Sequence, residues 1–386
     1  MPSNQISLLA RLLLESYVNE VRLDRRLKEK FLKAGSEVDA LPQYKIMPLF
    51  SLWKRYGNKL LLVLWCIRLV LLPLLAVAAL LNIVLALVFA CLPLRKSSAD
   101  LVEPVCLPNT DNFKLFHYLF DDFCQHARFR CKRPWAMLRY LSATDYLRAL
   151  LIIWRVLFAI SRYAPQHGVH RGDLIFHAID ILPLTWYALF VSKLSRAEKS
   201  FITDCNMQRW TYIGTHLSER FSVIQHAYIY DDLAFTHPFG GVDCMYLFGM
   251  EFEGLFSRYF NFRRTAPIRP KLDLQHMNSD RKVLFLASSA PYVQAEIDFL
   301  QQVKNNFDFF TVVKLHPRHV YEDTVAQLTA LADRVVDATC FPECDVMVSY
   351  DSFLGYEYKA LGKDALFLKD QGAIRAFIEH FAEKAP

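Results

Sequence analysis

The clearest pattern along the chain is a long apolar run. From Leu60 to Leu94 nearly every position is apolar, and from Leu69 to Leu94 there is no Asp, Glu, Lys or Arg. At about 1.5 Å per residue an uncharged helix of that length reaches about 39 Å, enough to cross a hydrocarbon core of about 30 Å. The pattern predicts a membrane segment over 60–94. Lys54, Arg55 and Lys59 flank one end and Arg95 and Lys96 the other, and Pro73 and Asn82 interrupt the middle. Basic charge on both sides favours a hairpin-like insertion with both flanks in the cytoplasm, with a single tilted span as the alternative. The run lies too far from the N-terminus for a secretory signal.

A different period precedes it. Leu9, Leu12, Leu13, Tyr17 and Val21 recur at helical spacing, followed by Arg22, Arg25, Arg26, Lys28, Lys30 and Lys33, with Gly35 as a stop. Two readings are open for this basic amphipathic region, which takes up 1–59. Its apolar face either lies on anionic membrane lipid or packs on the body of the protein. Residues 95–112, with Ser97, Ser98, Pro104 and Pro108, read as a linker. Leu147–Ile160 and Ile179–Leu194 are strongly apolar, but Arg148, Arg155, Asp180 and Lys193 in or around them favour buried or interfacial helices over spans.

The rest alternates strand-like and helix-like segments. In 113–275 the strand candidates are Asp173–Phe176, Thr211–Gly214 and Phe221–Ile224. In 276–386 they are Lys282–Ala287, Phe309–Val313 and Asp345–Val348, with helices over Tyr292–Lys304 and Gly355–Leu361. Such alternation in two blocks predicts two doubly wound α/β domains.

Composition agrees with a membrane-associated chain. It has 386 residues, 53% hydrophobic and 14% aromatic, room for two domains and an appendage. The net charge of +6 and the run Arg128–Arg133 raise a nucleic-acid role, but no nucleic-acid motif accompanies them. An anionic surface or a solvated face is the better reading, so no nucleic-acid partner is expected. Nine scattered cysteines suit a reducing compartment. No metal is expected: there is no convincing His-x-x-x-His, no Asp-x-Asp after a strand, and no second pair to match Cys340 and Cys344.

Two motifs carry candidate chemistry. Lys314-Leu315-His316-Pro317-Arg318 follows the apolar strand Phe309–Val313, and ligands of open α/β sheets bind beyond the carboxyl ends of the strands. His316 is the natural donor there, Pro317 fixes the turn, and Lys314 and Arg318 add charge. Ser349-Tyr350-Asp351-Ser352 follows the second strand and leads into a helix whose N-terminus suits an anion. Ser349 and Ser352 add hydroxyls, Gly355 opens the helix, and Glu357 sits one turn in, placed to accept from a ribose.

Lys-x-His-Pro followed by Ser-x-x-Gly-x-Glu-x-x-x-Leu-Gly-Lys resembles the nucleotide-sugar domain of bacterial GT-B transferases of surface polysaccharide. The capsule Kdo transferases are nearest by motif, then the sialyl- and polysialyltransferases and the CDP-glycerol glycerophosphotransferases. Phe221–Ala227 and Val242–Gly249 resemble the family's Gln-His-Gly strand end and later Phe-Gly strand, so the likeness covers about 205–370. Two positions depart from the pattern: Ala227 replaces a glycine, and Phe353 replaces a hydroxyl residue.

The resemblance implies an α/β fold of GT-B type, two doubly wound Rossmann-like domains, to which the apolar run adds an N-terminal membrane-inserted helical segment. It further implies metal-independent, inverting transfer of a Kdo or sialic acid type sugar from a nucleotide sugar, preferably CMP-linked, to a glycan or glycolipid acceptor at the cytoplasmic face of the bacterial inner membrane. No cofactor is implied. His316, Ser349 and Ser352 would bind the leaving phosphate, with Lys314, Pro317, Arg318, Gly355 and Glu357 completing the donor site. For the base, His226 competes with the pair Asp231 and Asp232. A glycerophosphotransferase and an inactive membrane scaffold are the alternatives.

Overall fold

The structure, a computed structural model, describes residues 2–33, 80, 84, 96–109, 113–131, 134–205, 207–226, 233, 235–289, 292–315, 322–350 and 352–382. The expected membrane segment over 60–94, apart from Leu80 and Val84, lies outside the described residues. The chain forms mixed α/β structure with parallel sheets, divided into two compact units. The first holds the N-terminal helix through Lys30, the chain from Lys96 to Leu247 and Glu251–Ala266; the second holds Phe248–Met250 and the chain from Pro267 onward.

In the first unit, α1 (Pro2–Lys33) buries Leu9, Leu12, Leu13, Tyr17, Val18 and Val21. The helical period was legible in sequence, and the face it defines is covered by the protein itself. Of the two readings of this region, packing on the body is the one realised, and the apolar face is not available to lipid. A buried ionic cluster ties α1 down. Arg209 is fully buried and bonds Glu20 of α1, Asp180 and the His177 carbonyl, and its guanidinium lies over the Tyr17 ring. The His177 imidazole sits 3.3 Å from both Glu20 and Asp24. Burial would pull its pKa down, but the hydrogen bonds to Asp24 and Glu20 outweigh it and raise the pKa above its ordinary value. Burial would likewise raise the Glu20 carboxyl, and the Arg209 charge overrides it and holds the pKa well below the usual range.

The sheet of this unit has the order β1 (Val105–Cys106), β2 (Phe201–Cys205), β3 (Phe221–Gln225), β4 (Gly241–Leu247) and β5 (Asn261–Pro267). The first four run parallel. The order is sequential, so this sheet is not doubly wound and its strands present no reversal of order. β1 lies inside the stretch expected as a linker: the Val105 N–H donates to the Ser200 carbonyl and the Leu107 N–H to the Ile202 carbonyl. Phe129 and Cys131 point into the core while Arg128 lies over Phe123 and Arg130 over Phe113. The described part of the basic run is thus an extended segment of alternating inward apolar and outward basic residues.

The helices of this unit are α2 (Lys114–Leu119), α3 (Ala143–Gln166), α4 (Arg171–His177), α5 (Ile181–Arg196), α6 (Arg209–Leu217) and α7 (Glu253–Phe256). Two of them replace expected strands. Asp173–Phe176 falls in α4, whose start is capped by the His170 ring accepting from the Gly172 N–H. Thr211–Gly214 falls in α6, where every residue from Arg209 to Thr215 is buried. A short run buried on all sides has no readable period. Gly214 admits the Phe221 ring, since a Cβ there would stand 2.2 Å from it. Arg171–Arg196 contains a window of mean hydropathy 1.7, long and apolar enough to cross a membrane, but 67% of that window is buried. α5 is a core helix, one of the two outcomes expected for that stretch.

The second unit contains a five-stranded parallel sheet. Its strands are β7 (Lys282–Ala287), β8 (Phe309–Lys314), β9 (Arg334–Val336), β11 (Val346–Ser349) and β12 (Asp364–Phe367), arranged β12-β11-β7-β8-β9. Helices α8 (Val293–Asn306), α9 (Glu322–Leu331), α10 (Phe353–Ala360) and α11 (Gln371–Ala382) connect or follow them. A two-stranded pair, β6 (Leu274–Gln275) and β10 (Phe341–Pro342), adjoins them. Taken in chain order the sheet reads 3-2-1-4-5, the doubly wound Rossmann-like arrangement. The order reverses between β7 and β11, and the loops leaving those two strands diverge to opposite faces, which is where such sheets hold ligands.

Candidate functional site

At the reversal point the loop after β7 is built from Ser288 and Ser289. The Ser288 N–H donates to the Lys314 carbonyl at 3.0 Å, and the Ser289 N–H donates to the buried Glu296 carboxylate at 2.7 Å. Glu296 lies in the first turn of α8, so one side chain fixes both the loop and the helix start. Tyr292, at the head of α8, stacks on Tyr350 of the β11 loop with ring centroids 3.9 Å apart and planes 12° apart. This aromatic pair bridges the two diverging loops.

Across it, the loop after β11 is held by its own serines. The Ser352 N–H donates to Ser349 Oγ at 2.6 Å, and the Leu354 N–H donates to Ser352 Oγ at 3.4 Å, capping α10. Ser349 is fully buried, which makes it a support of the turn, while Ser352 keeps partial exposure. Gly355 serves packing: a Cβ there would meet the Phe367 ring at 2.8 Å. Glu357 is buried beside it, inside α10 and away from solvent.

Lys314 departs from its expected role. Its ammonium donates to the Ala338 carbonyl at 2.7 Å and the Cys340 carbonyl at 2.8 Å, and lies 3.9 Å from the Phe341 ring centre. A lysine at a strand end has a long side chain, and here two backbone carbonyls and an aromatic face capture it to one side of the sheet. It ties β8 to the chain between β9 and β10. His316, Pro317 and Arg318 lie outside the described residues, as do Ala227, Asp231 and Asp232.

In the first unit, the strand ends bring together three polar residues, of which only His226 was recognisable in the sequence. Asp204, fully buried at the end of β2, accepts the Asn109 N–H at 2.5 Å. Asn109 Nδ2 donates to Thr203 Oγ1 at 3.1 Å and to the Asp204 carbonyl at 2.6 Å. His226, just past β3, places its Nδ1 3.7 Å from Asp204 Oδ2. At that distance the two make a charge contact rather than a hydrogen bond, with the buried carboxylate beside a partly exposed imidazole at neighbouring strand ends. The signal in sequence was the polar pair Thr203-Asp204 closing the apolar start of β2, at the same strand-end position that His226 holds on β3.

Among the described residues no group of three or more His, Cys, Asp or Glu side chains is arranged to hold a metal ion. Cys106, Cys131, Cys244, Cys340 and Cys344 are buried and form no disulfide, and burial pushes Cys106 and Cys344 up to about 12, which marks them as packing residues.

No family model, no curated protein and no solved structure matches the chain. The doubly wound sheet and its loop geometry define an α/β protein with a Rossmann-like unit, and the strand-end clusters stand as its candidate sites.

Proposed function

We propose that the protein is a membrane-associated, GT-B-like glycosyltransferase that uses a nucleotide sugar, preferably CMP-linked, and transfers a Kdo or sialic acid type sugar to a glycan or glycolipid acceptor at the cytoplasmic face of the inner membrane. The observation that carries this reading is the 3-2-1-4-5 order of the second unit. Its reversal point coincides with the Ser349–Ser352 motif, and the other motif, Lys314–Arg318, begins at the end of the adjacent strand β8. A nucleotide bound there lies at the N-terminus of α10 with the positive end of the helix dipole toward its phosphate. Ser352 and the Tyr292–Tyr350 pair offer the accessible polar and aromatic groups, and His316 is assigned to the departing phosphate.

The base is assigned to His226, because Asp204 stands behind it. In an inverting transfer the imidazole takes the proton of the acceptor hydroxyl as that oxygen attacks the anomeric carbon and the sugar–phosphate bond breaks; the nucleotide leaves with the bonding electrons. Asp204 stabilises the imidazolium that forms. The membrane attachment is assigned to 60–94.

The test is calorimetric titration of CMP, CDP and UDP into detergent-purified full chain and into His316→Ala. Selective CMP binding that the variant loses is the expected result. Selective CDP binding turns the reading to the glycerophosphotransferase, and absence of binding by all three removes the transferase reading in favour of the scaffold.

A further inference from the structure

The outer face of α3 is apolar and uncovered. Leu147, Leu151, Trp154 and Phe158 follow one another at intervals of four, three and four residues and are 57, 53, 63 and 62% exposed. The opposite face, with Ala149, Ile152, Val156 and Ile160, is buried. The exposed row runs about 17 Å along the helix, and Trp154 and Phe158 meet edge to face at 4.5 Å. An uncovered contiguous apolar stripe of this size marks a surface that something else contacts.

Three features say what that is. The first is charge: the one acid of α3, Asp145, is buried, whereas Arg162 is exposed beside the stripe, as is Arg155, whose guanidinium donates to Ser7 Oγ of α1, so the face is apolar with a cationic border. The second is the composition of its exposed aromatic end, since Trp beside Arg is the pairing that partitions to the headgroup boundary of a bilayer. The third is where the uncharged run of sequence rejoins the described chain. That run ends at Leu94, and the Lys96 N–H donates to the Arg139 carbonyl at 3.1 Å; Ser142, three residues on, caps α3. Lys96, two residues past the predicted membrane segment, is therefore held next to the head of the helix that carries the stripe. Trp135, also exposed, lies in the same short segment, Pro134–Tyr140.

We infer that the Leu147–Phe158 face of α3 is a second membrane contact, lying in the boundary between headgroups and acyl chains of an anionic bilayer, with Arg162 toward lipid phosphates. The inference rests on the membrane reading of 60–94 and is independent of the chemistry assigned to the strand-end sites. It moves the lipid-binding face from α1, whose apolar side is buried, to α3.

The experiment reconstitutes the full chain in nanodiscs of phosphatidylglycerol and phosphatidylcholine with brominated acyl chains and compares tryptophan quenching in the wild type and Trp154→Phe. The substitution is at an exposed position, and an unchanged melting temperature in detergent checks that the fold is kept. The expected result is a quenched component that Trp154→Phe loses and that grows with the phosphatidylglycerol fraction. Equal quenching of the two proteins, in a chain that resists extraction from vesicles by alkaline carbonate, overturns the inference and leaves the membrane segment in place. Release of the chain by carbonate overturns both. A detergent-solubilised dimer in which Trp154 is shielded from acrylamide, with no lipid quenching, replaces the bilayer by a second copy and also overturns it.

Discussion

Replacing Glu20 by Gln tests whether the first unit depends on its buried ionic cluster. The substitution keeps the shape of the side chain and removes its charge. Arg209 then retains Asp180 and the His177 carbonyl, but loses the carboxylate that also receives its own backbone N–H at 3.0 Å. Removing one partner of a buried pair costs about 3–5 kcal/mol, because the remaining charge stays desolvated. For a unit of this size each kcal/mol moves the melting temperature by roughly 2–4 °C, so the expected fall is about 6–20 °C.

The pH dependence adds a second readout. The His177 pKa is raised in the folded state, so its contribution is fully present below its unfolded pKa, near 6.5, and is lost as pH rises through the folded value. Glu20 is held low, so its contribution is present above its unfolded pKa and is lost as pH falls through the folded value. In Glu20→Gln, His177 keeps only Asp24, its pKa falls, and the alkaline loss of stability begins at lower pH. Calorimetry of the full chain in detergent across this range measures both. A fall below about 2 °C, under 1 kcal/mol on the same scale, together with an unshifted alkaline limb, would refute the reasoning.

Lys314→Met removes two charge-assisted bonds to carbonyls, and a loss of about 2–4 kcal/mol is expected, with CMP affinity retained; loss of affinity without loss of stability would return Lys314 to the donor site. Gly355→Ala forces a Cβ against the Phe367 ring and is expected to cost about 1–3 kcal/mol by overpacking, read in urea unfolding; an unchanged midpoint would mean α10 shifts freely. Asp204→Asn and His226→Ala are each expected to lower sugar transfer by about 10²–10⁴-fold while leaving CMP binding unchanged. Full activity in His226→Ala would pass the role to Asp231 or Asp232.

The sequence by itself determined what depends on local period and on strand-end chemistry. The apolar face of α1, the strands over Phe221–Gln225, Lys282–Ala287 and Phe309–Lys314, and the helix that follows Ser352 were legible because each buries one face, or both, at its own period. His226 was named through the resemblance of Phe221–Ala227 to a family motif rather than through any local period. Only the tertiary structure decided that Thr211–Gly214 is helical, because a segment buried on every side carries no alternation to read. It alone showed that the first sheet is sequential and the second doubly wound, since strand order follows from crossover packing between distant segments. The direction of Lys314, the burial of Ser349 and the meeting of Asn109, Asp204 and His226 were likewise decided there. Each depends on side chains far apart in the chain arriving at one place, and no local pattern encodes a distance of that kind.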